Sequence, residues 1–372
     1  MLNSRVSKIL IIVAFFVGFH GVIFAGLWVP AIFSNGMVIQ RGKPFTIWGR
    51  AQVGESITVS LAGTRGQCTV TEDGLWRITL NLPEFTGTET LHVQGAETKI
   101  IKDVLLGEVW LASGQSNMEF QIAKLKDGGS DVLAAGSKFP IRFFKVTRCA
   151  SAIPMDDVKG SWLAPNKWNS AVAYFFAKAL QKELKCPVGI IQSGWSGSAI
   201  EPWIPYKRLK AMPAANWKVK KYEKFLATNT DPVDTVAVTG SKAASKRPAH
   251  LYNGMIHPLA GYSCKGVIWY QGESNVGQPY AYSLFCPEML RAWRAAWQDP
   301  TLGFFPVQLA NYRARQEYPC EGGVAQLREA QLSVLSMPYT GASTAVDVGD
   351  ADDIHPKNKK PVGDRLAMAA LH

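Results

Sequence analysis

The chain has 372 residues, 47 % hydrophobic and 19 % charged, with 33 Gly in no repeating period, which excludes both a disordered and a collagen-like polypeptide. At roughly 150 residues per domain this length accommodates two domains, or one large α/β unit with an appendage. The formal charge of +11 is scattered, and the short basic groups at Lys218, Lys220, Lys221 and at Lys357, Lys359, Lys360 do not alternate with aromatics, so nucleic acid is not an expected partner.

Residues 1–25 read as a secretory signal peptide. Arg5 and Lys8 supply the charge, Ile9 to Phe24 is apolar apart from Gly18, His20 and Gly21, and Ala25-Gly26 offers a small-residue cleavage point. The apolar run falls short of the ~20 residues that span a bilayer, so no stable membrane insertion is expected after cleavage. The expected location is an exported one: periplasmic, lysosomal or luminal, or extracellular. Six cysteines (68, 149, 186, 264, 286 and 320) allow 15 pairings, none of which the spacing selects, and they form no C-x-x-C pair. No zinc site is indicated, and no metal or organic cofactor is expected.

From Gly26 to about residue 103 short alternating runs follow one another: Thr46-Ile47-Trp48, Ser56 to Ser60 and Trp76 to Leu80. Turn signals at Arg41-Gly42, Val53-Gly54 and Asp73-Gly74 separate them. This pattern predicts a β-sandwich domain over residues 26–103. After Gly107 the rhythm changes to apolar runs alternating with helical segments. The runs are Val109–Ala112, Ile141–Phe144, Val188–Ile191, Val267–Tyr270, Phe304–Leu309 and Thr344–Val346. Between them, Val172, Phe175, Phe176, Ala179 and Leu180 share one helical face behind the N-cap candidate Ser170, and Leu290, Trp293 and Trp297 recur at helix spacing. Residues 104–372 therefore predict an α/β domain, a parallel sheet with helices on its outside, in which the polar stretch 228–248 is a surface loop.

Ligands of such folds bind at the carboxyl ends of the strands. Ala112-Ser113-Gly114-Gln115-Ser116-Asn117-Met118 follows the first run, and a Ser in such a turn presents an exposed hydroxyl. Asp350-Ala351-Asp352-Asp353-Ile354-His355-Pro356 follows the last, and Asp352 three residues before His355 puts acid and imidazole on one side of a single turn. Among the histidines His20 lies in the leader, His250, His257 and His372 lack that acid, and His92 sits in a strand where i and i+3 face oppositely. The aspartates do not form an EF-hand, since the Gly and Glu that such a loop requires are missing. Trp195 to Glu201 and Trp269 to Asn275 add glycine and amide groups after two further runs, as an oxyanion hole requires.

Together Gly107–Met118, Trp195–Glu201, Leu251–Ile256, Tyr270–Asn275 and Asp352–Pro356 resemble the sialate O-acetylesterase family of SGNH hydrolases, in order and spacing, from about Leu27 to Leu371. The resemblance implies an SGNH-type three-layer α/β fold behind the β-sandwich domain. It implies a serine esterase with Ser116 as nucleophile, His355 as general base and acid, and Asp352 as the orienting acid. It further implies oxyanion donors from the amides of Ser116 and Gly197 and from a side chain, Gln271 or Asn275, and it assigns Trp195, Glu201 and Tyr270 to the acetylated sugar substrate. Trp195, Trp203, Trp269 and Tyr270 are either ring-stacking surfaces or core. One departure is Ser196, where relatives often carry a second glycine. The alternatives are an acetylesterase of the same mechanism acting on xylan or another polysaccharide, and a carbohydrate-binding protein without catalysis.

Overall fold

The computed structural model describes residues 26–125, 128–134, 140–228, 238–239, 241–314, 317–318 and 322–372, so the expected leader and Cys320 lie outside the described residues. The N-terminal strands are β1 (Val38–Gln40), β2 (Phe45–Arg50), β3 (Ser56–Leu61), β4 (Thr64–Thr69), β5 (Leu75–Leu80) and β6 (Glu89–Gln94). In β2, β3 and β5 every second side chain is buried, as the alternating sequence requires. β2 pairs with β5, and β3 pairs with β4 and β6, all antiparallel.

β7 (Thr98–Gly114) is one continuous strand that serves both halves of the molecule. Thr98 to Val104 pairs antiparallel with β6, Leu105 to Gly107 pairs parallel with β1, and Glu108 onward joins the central sheet. The expected boundary at 103/104 thus falls inside a strand rather than in a linker. It is marked only by the left-handed backbone of Asp103 (φ 57°), whose carboxylate accepts from Arg142 Nη2 at 2.8 Å. The change of sequence rhythm there reports a change of burial, from one covered face to two, and no break in the chain.

The remaining strands are β8 (Ile141–Lys145), β9 (Cys149–Ala150), β10 (Trp162–Leu163), β11 (Val188–Gly194), β12 (Val238–Thr239), β13 (Gly266–Tyr270), β14 (Gly303–Gln308) and β15 (Ser343–Thr344). The helices are α1 (Ser130–Ala134), α2 (Ala171–Leu184), α3 (Tyr206–Lys210), α4 (Asn216–Thr228), α5 (Pro279–Trp297), α6 (Gly323–Gln331) and α7 (Lys360–Leu371). The central sheet runs β10-β8-β11-β7-β13-β14-β15, parallel throughout except for β10. β11 and β13 are buried along their whole length, which explains their unbroken apolar runs.

Ser170 caps α2 as expected, its Oγ accepting from Ala173 N at 3.1 Å, a contact worth about 1 kcal/mol. Pro361 falls in the first turn of α7, where its missing N–H has no helical partner to lose. Part of the 228–248 segment departs from a surface loop. Val238 and Thr239 pair with β9, and Ala244 and Ser245 are buried. Among the described residues all five cysteines are free, and burial pushes the Cys264 and Cys286 thiols up to about 12.

Candidate active site

The parallel strands deliver their carboxyl ends to one edge, where the turns after β7, β11, β13 and β15 meet. β7 ends at Gly114 (φ +135°), where a Cβ would stand 2.2 Å from the Tyr270 carbonyl oxygen, so only glycine lets β7 and β13 close together before the chain turns. Gln115 N then donates to Tyr270 O at 2.9 Å, and Ser116 follows at the rim of a cleft. From the loop between β15 and α7, His355 brings Nε2 to 2.8 Å from Ser116 Oγ, across 239 positions of sequence. Burial pushes the His355 pKa below its ordinary value, Asp353 raises it, and the Lys359 and Lys124 cations lower it further. The ring is therefore mostly neutral at pH 7 and able to take a proton.

The carboxylate beside the imidazole is Asp353, not Asp352. Asp353 Oδ1 accepts the His355 backbone N–H at 2.8 Å and lies 3.6 Å from Nδ1. Asp352 is exposed, and its own amide donates to Asp350 Oδ1 at 2.9 Å. The expectation of Asp352 rested on acid and imidazole sharing one side of a single turn and on the family resemblance. The segment instead makes two side-chain-capped turns, 350 to 352 and 353 to 355, so the acid two positions before the ring is the one that faces it.

The backbone amides of Ser116 and Gly197 have no hydrogen-bond acceptor among the described residues, and Gly197 is left-handed (φ +74°). The two side-chain oxyanion candidates are placed differently. Gln271 Nε2 is held by Asn275 Oδ1 (2.8 Å), Gln115 Oε1 (3.2 Å) and Ser198 O (3.2 Å). Asn275 Nδ2 donates to Glu201 Oε2 at 3.3 Å, and its Oδ1 also accepts from Ile200 N at 3.0 Å. Both side chains are buried inside this amide network, where they fix the turns after β11 and β13. Ser196, the departure from a second glycine, donates its hydroxyl to Glu119 Oε2 at 2.7 Å.

The residues expected to touch substrate are buried as well. Tyr270 is fully enclosed, Trp195 packs under the Arg148 guanidinium 5.6 Å from its ring centre, and Glu201 pairs with Lys218. Trp203 and Trp269 are core. Leu251–Ile256 is a brace: Asn253 Nδ2 donates to the carbonyls of Ser151 (3.1 Å) and Ala152 (2.9 Å).

The cleft beside Ser116 and His355 has a volume of about 1270 Å³. Its walls carry Lys124, Lys145, Arg148 and Lys357 against Glu119 and Asp353, with Trp168 53 % exposed. Arg148 Nη2 is 2.6 Å from Glu119 Oε2. The sequence reading missed Arg148 and Trp168. Arg148 follows the carboxyl end of β8, so the strand-end rule applied to Ile141–Phe144 would have found it. Trp168 lies in a loop with no motif around it.

Such an edge, with a serine hydroxyl on an imidazole at the carboxyl ends of a parallel sheet, is what an esterase of the α/β class presents. Comparison with known proteins agrees. The family model "Carbohydrate esterase, sialic acid-specific acetylesterase" matches residues 106–372. The chain is 30 % identical to mouse sialate O-acetylesterase, over 91 % of this chain and 71 % of that protein. It is 29 % identical to the human protein of the same name, over 91 % and 69 %. A crystal structure of a carbohydrate acetylesterase from Xanthomonas citri superposes with a TM-score of 0.80 at 36 % identity, covering 93 % of this chain and 74 % of that one. The chain is an esterase. It belongs to the sialic acid-specific acetylesterase family of carbohydrate esterases.

Proposed function

We propose that this esterase removes O-acetyl groups from sialic acids or related glycans through an acetyl-Ser116 intermediate. The observation that carries this reading is the 2.8 Å contact between Ser116 Oγ and His355 Nε2. Ser116 Oγ bonds to the acetyl carbon while its proton passes to Nε2. The negative charge that develops on the carbonyl oxygen is met by the amides of Ser116 and Gly197. The carbon–oxygen bond to the sugar then breaks, and the sugar oxygen takes the proton from Nε2. Water repeats the sequence in reverse, giving its proton to His355 and releasing acetate. Asp353 orients the ring and steadies its charged form. The basic cleft wall of Lys124, Lys145 and Lys357 suits a sugar that carries a carboxylate.

The same reading takes residues 1–25 as a signal peptide and the protein as exported, with 26–103 a β-sandwich domain and 104–372 the catalytic domain. Among the described residues no helix is long and apolar enough to cross a membrane. The test is acetate release from 9-O-acetyl sialic acid and from acetylated xylan, with wild type and Ser116→Ala, alongside fluorophosphonate labelling. Faster release from the sialic acid, abolished together with labelling in Ser116→Ala, is expected. Faster release from xylan moves the substrate to neutral polysaccharides, and an unlabelled, inactive wild type leaves only carbohydrate binding.

A further inference from the structure

Behind the nucleophile lies a lysine that this chemistry does not use. Lys359 is fully buried and stands at the N-cap position of α7, where the helix dipole disfavours a cation. Burying an ammonium there costs several kcal/mol unless partners offset it. The partners are specific. Nζ donates to Asn117 Oδ1 and lies 4.7 Å from the ring centre of Phe120 and 5.5 Å from that of Tyr270. Asn117 directly follows the nucleophile. Its Nδ2 donates to Glu273 Oε1 at 2.5 Å and to the Ile354 carbonyl at 3.0 Å, and Ile354 directly precedes the base. One side chain thus ties together the turns after β7, β13 and β15.

We infer that Lys359 is a positioning residue for the esterase reaction proposed above, setting the Asn117 amide so that the Ser116 turn and the His355 loop stay in register. The reason is polarity. An ammonium only donates hydrogen bonds, so the amide must turn its oxygen toward Nζ, and its NH₂ is then aimed at Glu273 and Ile354. Flipping the amide would set NH₂ against NH₃⁺ and oxygen against two acceptors. Without the cation Oδ1 is left buried with no donor, the amide is held from one side only, and the tie to Ile354 loosens. Displacing a reacting group by about 1 Å costs on the order of 100-fold in rate.

The charge environment supplies a second signature. Burial pushes Lys359 down to about 7, against the opposing pull of the Glu273 and Asp353 carboxylates, and burial holds Glu273 above the usual carboxylate range. His355 is faced by Asp353, Lys359 and Lys124, and removing the lysine charge relieves part of what holds its pKa down.

The experiment measures p-nitrophenyl acetate hydrolysis by Lys359→Met, Lys359→Arg, Asn117→Ala and the Lys359→Met/Asn117→Ala double variant. For Lys359→Met, kcat falls about 10- to 100-fold with KM within about twofold, and the acid limb of kcat/KM moves to higher pH. Lys359→Arg, which keeps a charged donor, holds the acid limb in place. The double variant is no slower than Asn117→Ala alone, because the lysine acts through the amide. Wild-type kcat and an unmoved acid limb in Lys359→Met, or losses that multiply in the double variant, overturn the inference. If Lys359→Met does not fold, Asn117→Ala alone decides: a 10- to 100-fold fall in kcat supports the tie, and wild-type kcat overturns it. Full turnover by Ser116→Ala would instead remove the reaction the inference rests on, a result distinct from each of these.

Discussion

The two flanks of Ser116 are built on opposite principles. Toward the cleft stand His355, Asp353, Arg148 and Glu119, partly open to solvent and joined by few contacts. Toward the interior stand Asn117, Gln271, Asn275 and Glu201, all buried and bonded to one another or to backbone. On the open flank the ring that must take and give a proton reaches solvent and the cleft. On the closed flank the bonded polar groups fix where the catalytic groups stand. Amides placed like Gln271 and Asn275 look like oxyanion donors in a sequence, yet buried amides are claimed first by their nearest acceptors.

The largest test of this contrast lies on the open flank. His355→Ala should lower kcat/KM for an acetyl ester by about 10⁴-fold or more, with the fold kept, since no buried bond depends on the ring. Next comes the choice between neighbouring acids. An enclosed triad aspartate is worth about 10⁴ in kcat. The Asp353 side chain is 42 % exposed and stands 3.6 Å from Nδ1, so Asp353→Asn should cost about 10- to 100-fold. Asp352→Asn should stay within about twofold by the same reasoning, and the reverse ranking would return the orienting role to Asp352.

A pH profile sharpens the comparison further. The imidazole must be neutral to accept the serine proton, and burial holds its pKa below 6.5. Activity should therefore rise with pH along an acid limb whose midpoint lies below 6.5. A midpoint above 6.5 would mean that Asp353 outweighs burial. The smallest effect is expected at the rim. Lys124→Met should lower kcat/KM for an anionic acetylated sugar about two- to threefold at low salt, leave p-nitrophenyl acetate hydrolysis above the acid limb unchanged, and lose its effect as salt is raised.

Much of this was legible in the chain itself. The central strands and the capped α2 follow from apolar runs and cap chemistry, while the choice of Ser116 over Ser113 as the partner of His355 came from the family resemblance. Asp353 was hidden because residue spacing carries the geometry of whichever local structure is assumed, and two capped turns replaced the single one. For Trp195 and Tyr270 the sequence left core and ring-stacking both open, and the burial of Glu201 was hidden for another reason. Strand ends mark an edge of the sheet, but whether a side chain there points into solvent or back into the layers depends on turns that periodicity does not describe. Lys359 shows the limit most clearly: a lysine among charged neighbours reads as surface, and only tertiary packing makes it interior.

The continuity of β7 has a consequence for how the polypeptide can be divided. Gln40 Oε1 accepts from Val109 N at 2.8 Å, Trp162 Nε1 donates to Ile32 O at 2.8 Å, and Tyr262 OH donates to Val38 O at 2.7 Å. Expressing residues 104–372 alone would strip these donors of their acceptors and leave a severed strand edge, a template for aggregation. The front strands are thus a wall of the catalytic half rather than a detachable accessory, and the two halves should melt in a single cooperative transition.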